Sequence, residues 1–208
     1  MSQPPRFVHL LCLWAGSALA WDLCRRLLSR PDLSFPLALA LLGLKALVLL
    51  VPAAVYARRA LGEGPADAFA LRGPLRSGVA RALLASAIYL AAIVGLSALL
   101  GQLSLPRPSP SAVVLTDLNA AVEEAAYRGF LLLHLARSRR FGRANLIQAG
   151  LFVLVHLPVF AAGGVGPELV PMVAVLFLFA LVLGYVAKTT RSIWIAAALH
   201  AVNNLLAG

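Results

Sequence analysis

Seven apolar stretches, at roughly 7–24, 35–57, 78–101, 116–136, 144–162, 168–187 and 192–207, fill most of this chain and leave it few folds to choose from. A backbone surrounded by hydrocarbon has no water to bond, so it must be a helix or part of a closed barrel. The runs are continuous and rich in Leu and Ala rather than alternating, which removes the barrel. Each run approaches the ~20 residues that a helix needs to cross a bilayer, although the last is short for a full crossing. The expected fold is therefore all-α: a polytopic transmembrane bundle of about seven helices, six to eight, forming a single domain over 1–208.

Composition supports this and narrows the partners. Hydrophobic residues make up 61% and charged residues only 12%, where a soluble domain carries ~25% charged. The net charge of +10 does not point to nucleic acid, because the basic residues sit in short clusters between apolar runs. Such clusters set topology and touch lipid headgroups, so membrane lipids are expected partners. If the N-terminus is inside and every run crosses, the inside holds Arg6, Arg58, Arg59, Arg72, Arg76, Arg81, Arg137, Arg139, Arg140, Arg143, Lys188 and Arg191. The outside holds only Arg25, Arg26, Arg30 and Arg107. Lys45 and Arg128 fall within the membrane and are not counted. The expected location is a multi-pass position in a bacterial inner membrane.

The connections are short. GEGPADAFALRGPLRSG, between the second and third runs, is a Gly/Pro-broken loop with room for a short interfacial helix, and QLSLPRPSPS reads as a Pro/Ser linker. Arg6, the run from Phe7 and Ala18-Leu19-Ala20 share features with a secretory signal, but a retained first helix is the better reading. Trp21 then lies on the far side of the membrane. Cys12 and Cys24 have no metal-ligand spacing and are assigned neither a disulfide nor chemistry. No partner is evident for His9 or for His134, which reads as interfacial.

Chemistry concentrates in three places. Charged groups at membrane depth are costly and mark function, and Glu123-Glu124-Ala-Ala-Tyr-Arg128 puts three of them in one apolar run. Glu124 and Arg128 are at i and i+4 and can pair along one face. Glu123 is rotated by about 100° and is left to act as a general base. His156 follows in the next run, four residues after Phe152 and two before Pro158, which loosens the helix there. In the last run, His200 and Asn204 share a stripe and can donate hydrogen bonds to a developing oxyanion. Asn203 faces another helix, Ser192 is a candidate N-cap and Trp194 an interface anchor. Taken singly, each group also reads as polar glue between helices. On the charge-based topology Glu123 lies about seven residues from the outer end of its run. His156 and His200 fall at a similar level, so the site opens away from the cytoplasm.

The ordered trio EEAAYR, FVLVH and TRSIWIAAALHAVNN resembles the CPBP family of intramembrane proteases, which includes type II CAAX prenyl endopeptidases, bacteriocin self-immunity proteins and myxosortases. The resemblance covers about 116–207, the expected catalytic helical core. It implies that Glu123 and His156 activate a water that attacks a peptide bond. It further implies that His200 and Asn204 stabilise the oxyanion, with Glu124, Arg128 and Phe152 in support. The chain departs from the family in being short, with no clear eighth helix after Asn204. Zinc could bind two glutamates and two histidines, but the absence of HExxH and the charge of Arg128 favour a site with no cofactor and no metal.

The expected function is hydrolysis within a membrane-anchored or lipidated polypeptide, including sortase-like processing of C-terminal anchors. Two other readings use the same residues. One is a non-catalytic peptide- or lipid-binding immunity protein. The other is a small proton-coupled transporter, which gives no reason for the His200/Asn204 pair.

Overall fold

A computed structural model describes residues 7–28, 34–72, 78–99, 101, 107–162 and 166–207. Arg6, Arg30 and Arg76, part of the 102–111 linker, and the side chains of Cys24, Arg25 and Arg26 lie outside the described residues. The helices are α1 (Phe7–Leu28), α2 (Phe35–Tyr56), α3 (Pro65–Ala68), α4 (Val79–Leu99), α5 (Pro110–Glu124), α6 (Leu133–Ser138), α7 (Phe141–Ala162), α8 (Leu169–Thr190) and α9 (Trp194–Ala207). Two π-helical segments interrupt them: π1 (Ala57–Leu61) continues α2, and π2 (Ala125–Leu132) joins α5 to α6. No strand occurs among the described residues.

Polarity is arranged for lipid rather than water. Leu47 and Val51 of α2, Leu84 and Ile88 of α4, and Val170 and Leu178 of α8 face outward, while Lys45, Glu123, Glu124, Arg128, Gln148 and His200 are buried. An apolar exterior over a polar interior is what hydrocarbon surroundings favour. Among the described residues three helices are long and apolar enough to cross by themselves: Phe35–Leu61, Val79–Leu99 and Leu169–Thr190. Apolar stretches in Phe7–Leu19 and Trp194–Leu206 are shorter. With 14 residues, α9 is about 21 Å long and falls short of a ~30 Å hydrocarbon core.

The fourth apolar stretch starts earlier than its hydropathy indicates. Ser109 caps α5 by accepting from the Ala112 N–H at 3.2 Å, and Pro110 supplies the preset φ of a first helical residue. Helical structure then runs unbroken to Ser138. Glu123 is therefore about 20 Å from the N-terminal end of this rod rather than the expected ~10 Å, near its middle.

Around this rod, α2 and α9 pack on α5, α7 and α8 pack on π2, and α4 closes against α8. Gly129 in π2 marks a close approach of two backbones, since a Cβ there would fall on the carbonyl of Phe69. Several contacts gather the basic loops at one end of the bundle. Glu63 pairs with Arg137, the Arg139 guanidinium lies 4.0 Å over the Phe7 ring, and Trp194 Nε1 donates to the Leu71 carbonyl at 3.1 Å. Burial pushes the Glu63 carboxyl up, but Arg137 and then His134 more than offset this and hold it below its usual range. His134 is thus not a loose interfacial residue. It is fully buried, its Nδ1 donates to the Phe130 carbonyl at 2.6 Å, and its Nε2 lies 3.1 Å from Glu63.

Candidate active site

The end of α5 carries the two glutamates, and everything else in the site is placed relative to them. Glu124 is fully buried. Its Oε1 accepts from Arg128 Nη1 at 2.7 Å and from His200 Nδ1 at 2.8 Å. The switch to π-helix directly after Glu124 does not break the pairing of Glu124 with Arg128, and π-helical insertions recur at functional sites. Arg128 also donates toward the Ala180 carbonyl at 3.4 Å and lies 4.3 Å over the Phe152 ring.

Glu123 has a different and unexpected partner. Its Oε1 is ion-paired with Lys45 of α2 and accepts from Asn119 Nδ2 at 3.3 Å, and Lys45 donates to Asn119 Oδ1 at 2.7 Å. Glu123, expected to be left to act as a general base, is thus also the partner of a cation from another helix. The charged lysine needs a counter-charge at this depth, and Glu123 provides it. The Lys45 ammonium also sits 5.3 Å over the Trp21 ring, a cation–π contact that adds to its hold. Glu123 Oε2 remains, 3.7 Å from His200 Nε2.

Phe152 is the hub that sets both histidines. Fully buried, it meets Tyr127 edge-on at 5.0 Å, His156 at 4.6 Å and His200 at 5.9 Å between ring centroids. His156 Nδ1 donates to the Phe152 carbonyl at 2.7 Å, which fixes the tautomer. Its Nε2 is then a basic lone pair while the ring is neutral. His200 gives its Nδ1–H to Glu124, so Nε2 can donate to an oxyanion only when the imidazole is protonated.

A cavity of about 440 Å³ opens beside these groups, lined by Glu123, His156, Lys45 and Tyr127 together with the apolar Trp14, Trp21, Leu154 and Pro158. His200 lies behind Glu123 and does not line it, and neither does Asn204, which is half-buried one turn farther along α9. Asn203 accepts from the Tyr89 hydroxyl at 2.8 Å and so faces α4. Ser192 accepts from the Trp194 N–H at 3.4 Å. Among the described residues no three His, Cys, Asp or Glu side chains are gathered as a metal site, and the carboxylates of Glu123 and Glu124 are already held by Lys45 and Arg128.

Lys45 is the site residue that sequence reasoning passed over. Its signal was a single cation in the 35–57 run, counted as membrane-embedded but given no partner.

Residues 106–206 match the family described as type II CAAX prenyl endopeptidase, Rce1-like, and this region contains the glutamates, both site histidines and Asn204. No curated protein and no solved structure matches the chain.

Proposed function

We propose, from the match of residues 106–206 to the Rce1-like type II CAAX prenyl endopeptidases, that the chain is a membrane-embedded peptidase of that family and cleaves a membrane-anchored or lipidated protein with a water activated by Glu123 and His156. The observation that carries this reading is that a carboxylate and a basic imidazole nitrogen face one apolar-walled cavity. A water between them loses its proton to this pair as it attacks the scissile carbonyl. The carbonyl oxygen takes up negative charge, and the donors assigned to it are Nε2 of His200 in its imidazolium form and Asn204; both lie outside the cavity lining, so the oxyanion has to reach past Glu123 toward α9. Glu124 and Arg128 orient His200 through its Nδ1. Collapse of the tetrahedral adduct breaks the C–N bond, and the activated proton passes to the leaving amine.

The reading needs no metal, because Lys45 and Arg128 already neutralise the carboxylates that would hold one. The cavity draws on Trp14 to Trp21 of α1 and Leu154 to Pro158 of α7, on the side away from the basic loops. That supports processing of C-terminal anchors of exported proteins, in a bacterial inner membrane, over a cytosolic substrate. The test is to reconstitute the chain in liposomes with a farnesylated peptide, its unprenylated counterpart and a peptide ending in an apolar anchor, and to read new C-termini by mass spectrometry. Metal-independent cleavage of an anchored or lipidated peptide is expected, absent in Glu123→Gln. Equal product from wild type and variant would overturn the mechanism.

Lys45 acts here as a positioning residue, since it holds Glu123 in one rotamer toward the cavity. Lys45→Met is expected to lower kcat by about tenfold or more with KM little changed, and Lys45→Arg to recover part of the loss. A fall confined to KM would instead make Lys45 a substrate-binding group.

A further inference from the structure

A second cavity, of about 270 Å³, lies at the basic end of the bundle, where π2, α6, the start of α7 and the end of α8 meet. Arg128 lies at its floor, Leu132, Ala136 and Phe141 form apolar walls, and Lys188 and Arg191 stand exposed at its edge. None of the residues lining it is acidic. The Lys188 ammonium rests 4.1 Å over the Phe141 ring, which holds the charge at the rim. Arg191 ends α8 with a φ of +52°, a left-handed conformation that turns the chain sharply there.

We infer that this cavity is a binding site for one anionic phospholipid, with an acyl segment against the apolar wall and the phosphate on Lys188 and Arg191. Two features must be satisfied together. A soluble anion would meet the two cations but leave the apolar interior unfilled, and a zwitterionic lipid would fill the interior but bring its own cationic group to a rim that has no acidic lining residue. The volume lies below the ~300–1,000 Å³ of compact ligand pockets, which suits part of a chain rather than a whole cofactor. Its level is also right: it opens among the basic loops, at headgroup depth, where clustered Lys and Arg recognise anionic lipid. The site is separate from the cavity of Glu123 and His156, although Arg128 closes its floor and carries Glu124 on its other side.

Native mass spectrometry tests this on the full chain in detergent, offered phosphatidylglycerol or phosphatidylcholine of matched chains. The wild type is expected to retain phosphatidylglycerol at least about tenfold better. The Lys188→Gln/Arg191→Gln double variant should lose that preference, as removal of two charges near an anionic headgroup implies. Arg58→Gln/Arg59→Gln, at the same end but outside the cavity, should keep it. Ala136→Leu, which fills the cavity and leaves both charges, should lower retention of phosphatidylglycerol. Equal retention of the two lipids by the wild type would overturn the site. So would a Lys188/Arg191 variant with unchanged preference, or complete displacement of the lipid by millimolar inorganic phosphate.

Discussion

Exchange of Glu123 for glutamine is expected to lower kcat by about 10²–10⁴-fold, the range that a positioned general base contributes. The amide keeps the size of the side chain and still accepts from Lys45 and Asn119 through its oxygen, so the local geometry survives. What it loses is the negative charge and the ability to take a proton from water. The substitution also leaves the Lys45 ammonium, only 7% exposed, without its counter-ion, which costs stability. Loss of activity and loss of fold must therefore be separated. A Lys45→Met/Glu123→Gln double variant removes both charges, and its thermal midpoint should return toward that of the wild type while cleavage stays absent. Product rates for the three proteins, measured beside their unfolding midpoints, decide the matter. A single variant that retains activity within tenfold of wild type would show that Glu123 is not the base.

The parts of this molecule that were legible in the sequence are those set by short-range or bulk properties. Hydropathy alone dictates a helical membrane bundle, because no other backbone satisfies itself in lipid. A spacing of four residues puts Glu124 beside Arg128, and the 2.7 Å bond needs nothing from elsewhere in the chain. Lys45 differs in kind. Its partner is 78 positions away, and only the packing of α2 on α5 brings the two together. The cost of a lone cation at that depth does demand a carboxylate somewhere, so the requirement for a partner was legible even though its identity was not. The pairing of His134 with Glu63 was hidden for the same reason, at a separation of 71. The early start of α5 was a misreading of a different sort. Ser109-Pro110 carries the signature of an N-cap followed by a first-turn proline, and it was read as linker because the prolines around it break helices. The π-helical stretch at 125–132, in which Tyr127, Arg128 and Phe130 are all buried, has no sequence pattern of its own.

Arg128→Met is expected to destabilise the protein by about 3–5 kcal/mol, the cost of breaking a buried ion pair from one side. Arg128 is only 1% exposed and Glu124 fully buried, so water cannot replace the lost guanidinium. One Glu124 oxygen and the Arg128 Nε have no partner among the described residues, so loss of the guanidinium adds to a buried site that is already short of hydrogen bonds. In the variant Glu124 would be left to His200 alone, and the imidazole that orients toward Glu123 would be pulled or released with it. Lysine at the same position restores the charge but not the forked donor set that reaches both Glu124 and the Ala180 carbonyl, so Arg128→Lys should recover only part of the loss. Met at 128 combined with Glu124→Gln removes both charges and should be more stable than Arg128→Met alone, since an uncompensated charge costs more than an absent pair. Reversible unfolding in mixed micelles, followed by circular dichroism, measures all four proteins. A penalty below about 1 kcal/mol for Arg128→Met would mean that the pair is solvated in the membrane. Glu124 and Arg128 would then be reagents within reach of water rather than the rigid support of His200.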